Sequence, residues 1–111
     1  MPPRIIHLEN RTDFKKLLNE ELNIIVKAGA DWCGPCKQIT PYFDEYVASY
    51  LTNKFIIVKL NVDSGSDLAS YLKIKSIPQL FYYKHGSLQN TMVGSNTKHL
   101  KKFLDGLLKD L

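Results

Sequence analysis

Two apolar segments, residues 24–30 and 55–61, constrain the fold of this chain most strongly. Both are rich in β-branched residues, which is typical of strands that are covered on both faces of a sheet. A helix-length segment separates them, so they are expected to be parallel strands joined by a right-handed crossover. The chain is therefore predicted to have an α/β fold.

The N-terminal half continues this alternation. Residues 4–8 are predicted to form a short strand. A helix follows, which Thr12 or Asp13 is expected to cap and whose apolar residues recur at helical spacing. A second helix is predicted over residues 36–51, with Pro41 inside it as a source of a kink.

In the C-terminal half, a third helix is predicted to begin at its own cap, Ser66, and to end at residue 72. A His-Gly pair, typical of a tight turn, then separates two predicted antiparallel strands, residues 79–84 and 87–93. Thr97 opens the last helix. The whole pattern predicts a central mixed β-sheet of about five strands, flanked by about four helices.

Length and composition limit the domain organisation. With 111 residues, the chain is expected to form a single domain over residues 1–111 with one core. Hydrophobic residues make up 44% and charged residues 23%, which is ordinary for a globular protein and excludes a disordered or low-complexity chain. No apolar run approaches the ~20 residues that a membrane span needs, so no membrane association is expected.

The net charge of +4 raises the possibility of nucleic-acid binding. The cations are mostly lysines, however, and they are spread along the chain without forming a basic block, so nucleic-acid binding is not expected. The first residues lack the basic and apolar regions of a secretory signal, and we expect the cytoplasm as the location.

The hexapeptide Trp-Cys-Gly-Pro-Cys-Lys, residues 32–37, lies where the second strand ends and the second helix begins. The free N–H groups and partial positive charge of a helix N-terminus stabilise a thiolate, so the pKa of Cys33 should fall from ~8.5 toward neutrality. Gly34 permits a tight turn, and Pro35 is tolerated in a first helical turn. The spacing places the sulfur of Cys36 beside that of Cys33, with Cys33 expected to be the outer cysteine and Cys36 the deeper one.

Two thiols in this arrangement are suited to thiol–disulfide exchange. The Cys33 thiolate would attack a substrate disulfide, and Cys36 would then attack Cys33 and release the reduced substrate. The alternative is a pair of inert or zinc-bound thiols. A structural zinc ion needs four ligands, and only three histidines are available, none at a motif spacing, so no metal site is expected.

The chain resembles thioredoxins from end to end. The hexapeptide is the active-site motif of that family, and further matches occur in the expected order: Pro41, the segment 59–63, Ile77-Pro78, Gly86 and Val93-Gly94. The resemblance implies the thioredoxin fold and a protein-disulfide reductase that needs no bound cofactor. It also implies protein disulfides as substrates and a thioredoxin reductase or similar donor as the partner that supplies electrons.

The resemblance further implies roles for residues outside the hexapeptide. The Ile77–Pro78 peptide bond would be cis, and the backbone of Ile77 would pair with an extended substrate segment. Trp32, Ile77, Pro78 and Gly94 would form a flat, mostly apolar surface around Cys33 that accepts many protein partners.

Lys27 departs from the thioredoxin pattern. Most thioredoxins carry a buried Asp at this position, which assists proton transfer at the second cysteine, and aromatic residues where this chain has Ala28 and Gly29. Because a buried cation is expensive, Lys27 either loses its proton or reaches water through the space left by Ala28 and Gly29. A charged Lys27 would stabilise a thiolate, a neutral one would act as a base for Cys36, and a fully solvated one would do neither.

Two other functions remain open at this point. A disulfide oxidase or isomerase would use the same cysteines, with the direction set by the redox potential. A non-catalytic binding module would use only the apolar surface around Trp32. The protein is expected to be a monomer.

Overall fold

The computed structural model describes all 111 residues, and its centre is a five-stranded sheet in the order β1-β3-β2-β4-β5. The nine elements alternate along the chain as β1 Arg4–His7, α1 Arg11–Glu20, β2 Asn23–Gly29, α2 Gly34–Tyr50, β3 Phe55–Asn61, α3 Ser66–Tyr71, β4 Gln79–Lys84, β5 Ser87–Val93 and α4 Thr97–Lys109. The prediction of a mixed sheet with five strands and four helices is confirmed.

Strand pairing follows from the connections. β1 and β2 both run parallel to β3, whereas β4 runs antiparallel to β2 and to β5. Helical crossovers join the parallel strands, and a tight turn at His85 and Gly86, both with positive φ, joins β4 to β5.

The sheet is covered on both faces, which explains the continuous apolar runs of β2 and β3. Alternate residues of β2 enter different cores. Ile25 packs in a cluster with side chains of α2 and α4, whereas Ile24 and Val26 pack with side chains of α1 and α3. None of the four helices has the length and apolar character that crossing a membrane requires.

The predicted start of α4 at Thr97 is confirmed, whereas the starts of the other three helices need correction. Asn10, and not Thr12 or Asp13, caps α1, because its side chain accepts a hydrogen bond from the Asp13 N–H at 2.8 Å. Gly65 precedes α3 without any side-chain cap, so Ser66 is its first residue and not its cap. Helix α2 begins at Gly34, two residues earlier than predicted, and this places both cysteines at its N-terminus.

Candidate active site

The two cysteines lie at the junction of β2 and α2. Cys33 is the N-cap residue of α2, and Cys36 lies in its first turn. They form a disulfide with their Cα atoms 5.2 Å apart. The Cys36 backbone N–H donates a hydrogen bond to Cys33 Sγ at 3.2 Å. The helix terminus therefore directs a donor at Cys33, as the sequence predicted.

The expected difference in depth between the cysteines is not found. Cys33 is 3% exposed and Cys36 is 6% exposed, so Cys36 is not the deeper residue. Both cysteines are buried in one small cluster with Ala30, against which Ile77 packs. A Cβ atom on Gly29 would lie 3.2 Å from Cys36 Sγ, so the missing side chain allows the end of β2 to pack directly against this sulfur.

The residues that were expected to surround Cys33 lie close to it in the structure. Trp32 is 69% exposed, and its Nε1–H donates to Asp63 Oδ2 at 2.8 Å. Ile77 packs against the small cluster that contains both cysteines, and its carbonyl oxygen lies 4.0 Å from Cys33 Sγ. The Ile77–Pro78 bond is cis, as expected.

Gly94 completes this surface. Its N–H donates to the Pro78 carbonyl oxygen at 2.9 Å, and its φ of 107° is one that residues with a side chain rarely adopt. Neither the N–H nor the carbonyl of Ile77 takes part in a backbone hydrogen bond within the protein. The structure thus brings Trp32, Ile77, Pro78 and Gly94 together beside Cys33 and leaves a free backbone edge there.

Lys27 lies on the face of β2 that is covered by α2. It is half-buried, its Nζ donates to Thr40 Oγ1 at 2.7 Å, and the Thr40 hydroxyl donates to the Cys36 carbonyl oxygen at 2.8 Å. Nζ also lies 5.5 Å from the centre of the Phe43 ring. Burial lowers the pKa of Lys27, nearby Lys59 lowers it further, and Asp44 opposes the shift.

A cavity of about 670 Å³ opens beside Lys27. Gly29, Cys36 and Thr40 contribute to its wall. Ala28 does not, because strand alternation directs it into the opposite core, where it is fully buried. Of the two small residues predicted to give Lys27 a route to water, only Gly29 does so.

Sequence reasoning missed two features of this region. Thr40 lies one helical turn after Cys36, and a Thr at that spacing often bonds back to the carbonyl, so a signal was available. The approach of Lys59 to Lys27 carried no such local signal, since it depends on the register between β2 and β3. No group of three or more His, Cys, Asp or Glu side chains is arranged to hold a metal ion.

The lowered pKa of Lys27 leads to a prediction about stability. Between its folded pKa and the ordinary value of 10.5, the unfolded chain binds more protons at this position than the folded one. The free energy of unfolding should therefore rise with pH through that window. Urea unfolding of oxidised Lys27→Met across this range should show a smaller rise than the wild type, whereas Lys102→Met, at an exposed helical position, should match the wild type.

Comparison with known proteins identifies the family. The family model "Thioredoxin" matches residues 5–106. The chain belongs to the thioredoxin family. A thioredoxin of Coprinus comatus is 34% identical over 97 residues, covering 87% of this chain and 92% of the relative. Thioredoxin 1 of Plasmodium falciparum is 32% identical over 96 residues, covering 86% of this chain and 90% of the relative.

Solved structures of thioredoxins share the fold. Mitochondrial thioredoxin 3 of Saccharomyces cerevisiae, in its oxidised form, superposes with a TM-score of 0.81 and 30% identity, covering 96% of this chain and 95% of that one. The thioredoxin of Malassezia sympodialis superposes with a TM-score of 0.83 and 25% identity, covering 96% and 93%. The predicted thioredoxin fold is confirmed.

Family and site together give the activity. The protein is a thiol–disulfide oxidoreductase with a redox-active cysteine pair and protein-disulfide reductase activity. The oxidase or isomerase and the non-catalytic binding module, which the sequence left open, are not favoured.

Proposed function

We propose that Cys33 is the attacking thiol and Cys36 the resolving thiol of this thioredoxin-family protein. The observation that carries the assignment is the Cys36 N–H directed at Cys33 Sγ at 3.2 Å, at the positive end of α2. This donor and the helix terminus stabilise negative charge on Cys33.

The two steps balance as exchange reactions. The Cys33 thiolate forms a bond to one sulfur of the substrate disulfide, and the other substrate sulfur leaves as a thiolate that takes up a proton. Cys36, on losing its proton, then attacks Cys33 Sγ, which breaks the mixed disulfide and releases the second substrate thiol. The protein ends oxidised and the substrate ends reduced by two electrons.

The surface of Trp32, Ile77, Pro78 and Gly94 is the proposed docking site for protein disulfides. The N–H and carbonyl of Ile77 make no backbone hydrogen bond within the protein, and this supports the docking site, because an extended substrate segment would pair with both groups in a strand-like contact. Gly94 leaves open space where a side chain would stand, since a Cβ there would meet nothing within 4 Å.

Five further assignments belong to the same proposal. Residues 1–111 act as one domain, the protein works as a monomer without a bound cofactor, a thioredoxin reductase or similar donor supplies electrons, and the location is the cytoplasm. A reducing compartment suits a dithiol that must be regenerated. The relatives include a mitochondrial thioredoxin, so cell fractionation is the test of the location.

Lys27 tunes the cysteine pair in this proposal, with Gly34 and Pro35 shaping the turn between the thiols. Burial and Lys59 lower the pKa of Lys27, while Asp44, the Phe43 ring and the open cavity favour its charged form, which is the form proposed here. A cation stabilises the reduced form, which carries a thiolate, but gains nothing from the neutral disulfide. It therefore makes the protein more oxidising.

Lys27→Met should consequently raise the pKa of Cys33 and lower the redox potential, by about 30 mV for each ~1.4 kcal/mol of attraction lost. Lys27→Asp should shift the Cys33 pKa and the redox potential further in the same directions, and Lys27→Arg should keep both near the wild-type values. The absorbance of the thiolate gives the pKa, and equilibration in a glutathione buffer gives the redox potential. If Lys27→Met leaves the Cys33 pKa unchanged but slows the attack of Cys36 on the mixed disulfide, Lys27 is neutral and acts as a base. If the variant changes neither the pKa, the potential nor this rate, Lys27 is a solvated side chain.

A further inference from the structure

Lys27 has a single hydrogen-bond partner in the protein. Its Nζ donates to Thr40 Oγ1 at 2.7 Å and takes part in no ion pair, since the carboxylate of Asp44 pairs with Lys59 at 3.4 Å. Thr40 in turn donates its hydroxyl proton to the Cys36 carbonyl oxygen at 2.8 Å. A hydroxyl has one proton to donate and two lone pairs that accept. Thr40 therefore uses its proton on the backbone and a lone pair on Lys27.

The sheet by itself does not hold the Lys27 ammonium in place. Lys27, Lys59 and His7 are paired in register across β2, β3 and β1, and paired side chains point to the same face of a sheet. Like charges placed opposite each other repel, so Lys59 favours movement of Lys27 away from β3. A lysine side chain is long and flexible, and the cavity beside it is open. Without a partner on α2, the ammonium would turn into this cavity.

Thr40 connects Lys27 to the cysteine pair. It lies in α2, one helical turn after Cys36, and its hydroxyl bonds to the Cys36 backbone. The N–H of the same residue donates to Cys33 Sγ at 3.2 Å. The ammonium is thus fixed against the first turn of α2, the turn that carries the disulfide. Its position relative to the sulfurs depends on Thr40 as well as on Lys27.

We propose that Thr40 is a positioning residue for Lys27, which holds the ammonium against the first turn of α2, and that the effect of Lys27 on the cysteine pair depends on this contact. The inference rests on the tuning role of Lys27 proposed above and names the residue on which that role depends. The attraction between a cation and a thiolate falls with distance and with exposure to water. An ammonium that turns into the cavity therefore contributes much less.

Removal of the Thr40 hydroxyl tests this dependence. Thr40→Val and Thr40→Ala, the second with a better helix former, each leave Lys27 in the chain without its partner. Both variants should raise the pKa of Cys33 and lower the redox potential, by roughly half or more of the shifts that Lys27→Met causes. Thiolate absorbance gives the pKa, equilibration in a glutathione buffer gives the potential, and circular dichroism shows that each variant is folded.

Two controls address the chemical change itself. Thr40→Ser keeps the hydroxyl and should stay near the wild-type pKa and potential. Thr97→Val removes the same hydroxyl from a residue that is half-buried like Thr40 but lies at the start of a different helix, and it should also match the wild type. A shift in either control as large as that in Thr40→Val would contradict the Thr40 hydroxyl as the cause.

A double-mutant cycle separates action through Lys27 from a direct effect of Thr40 on α2. In the Lys27→Met background the ammonium is absent, so adding Thr40→Val should leave the Cys33 pKa and the redox potential unchanged. An equal shift in both backgrounds would mean that Thr40 acts on the helix itself, and it would overturn the proposal.

The role of Thr40 can fail while the role of Lys27 stands. If Lys27→Met shifts the pKa and the potential but neither Thr40→Val nor Thr40→Ala reaches half of these shifts, Lys27 acts without its partner and the inference about Thr40 alone is wrong. If Lys27→Met shifts neither quantity, the tuning role is wrong and the role of Thr40 is wrong with it. Reduction of insulin through Cys33, measured in each variant, reports separately on the oxidoreductase function.

Discussion

Cys33→Ser should abolish the reduction of protein disulfides, with a loss of roughly a thousandfold or more in turnover of insulin. A serine hydroxyl is a weak nucleophile at neutral pH, and the donor at the N-terminus of α2 then faces an oxygen that stays protonated. The reaction should stop before any bond forms. Circular dichroism and a thiol count of the reduced variant would show that the fold and Cys36 are intact.

Cys36→Ser should fail at a different step. Cys33 remains able to attack, so the variant should accumulate a mixed disulfide with its substrate, visible by mass spectrometry as one substrate chain per protein. In the wild-type reduced protein, iodoacetamide near neutral pH should label Cys33 before Cys36. A mixed disulfide that forms faster in Cys33→Ser than in Cys36→Ser would reverse the assignment of the two cysteines.

Leu80→Ala should destabilise the oxidised protein by about 3 kcal/mol, measured by urea unfolding. Leu80 is 0% exposed and lies on β4 in the core cluster that joins the sheet to α2 and α4. Removing its side chain leaves a cavity in a packed interior, and a loss of this size is a large part of the stability of a small domain.

Leu88→Ala is the matched control, because it makes the same chemical change on β5 at a residue that is 52% exposed. Its free energy of unfolding should stay within about 0.5 kcal/mol of the wild-type value. Equal losses for the two variants would mean that burial in this core does not determine the stability of the sheet.

Strands were predicted more closely than helix starts. The bounds of β3, β4 and β5 agree with the sequence prediction, because each has a dense apolar or alternating pattern and ends at polar or turn residues. Helix starts depend instead on one hydrogen bond. Asn10, Thr12 and Asp13 are all good caps, and only the position where β1 leaves its pairing with β3 selects Asn10.

The functional site also contains a part that the local sequence predicted and a part that it did not. The hexapeptide by itself predicted a cysteine pair at a helix N-terminus, because the reacting atoms are three residues apart and local geometry brings them together. Ile77, Pro78 and Gly94 came only from the family pattern, since they approach Cys33 from more than 40 residues away. Lys27 was noticed as a departure, but its surroundings were not predicted.

What the sequence determined by itself was therefore local: the order of strands and helices, the redox motif and the unusual lysine. Tertiary structure alone decided that Lys27, Lys59 and His7 share one row, because this needs the registers of three strands that are distant in the chain. It also decided that Gly29 and not Ala28 opens the cavity, because strand alternation turns successive side chains to opposite faces of the sheet.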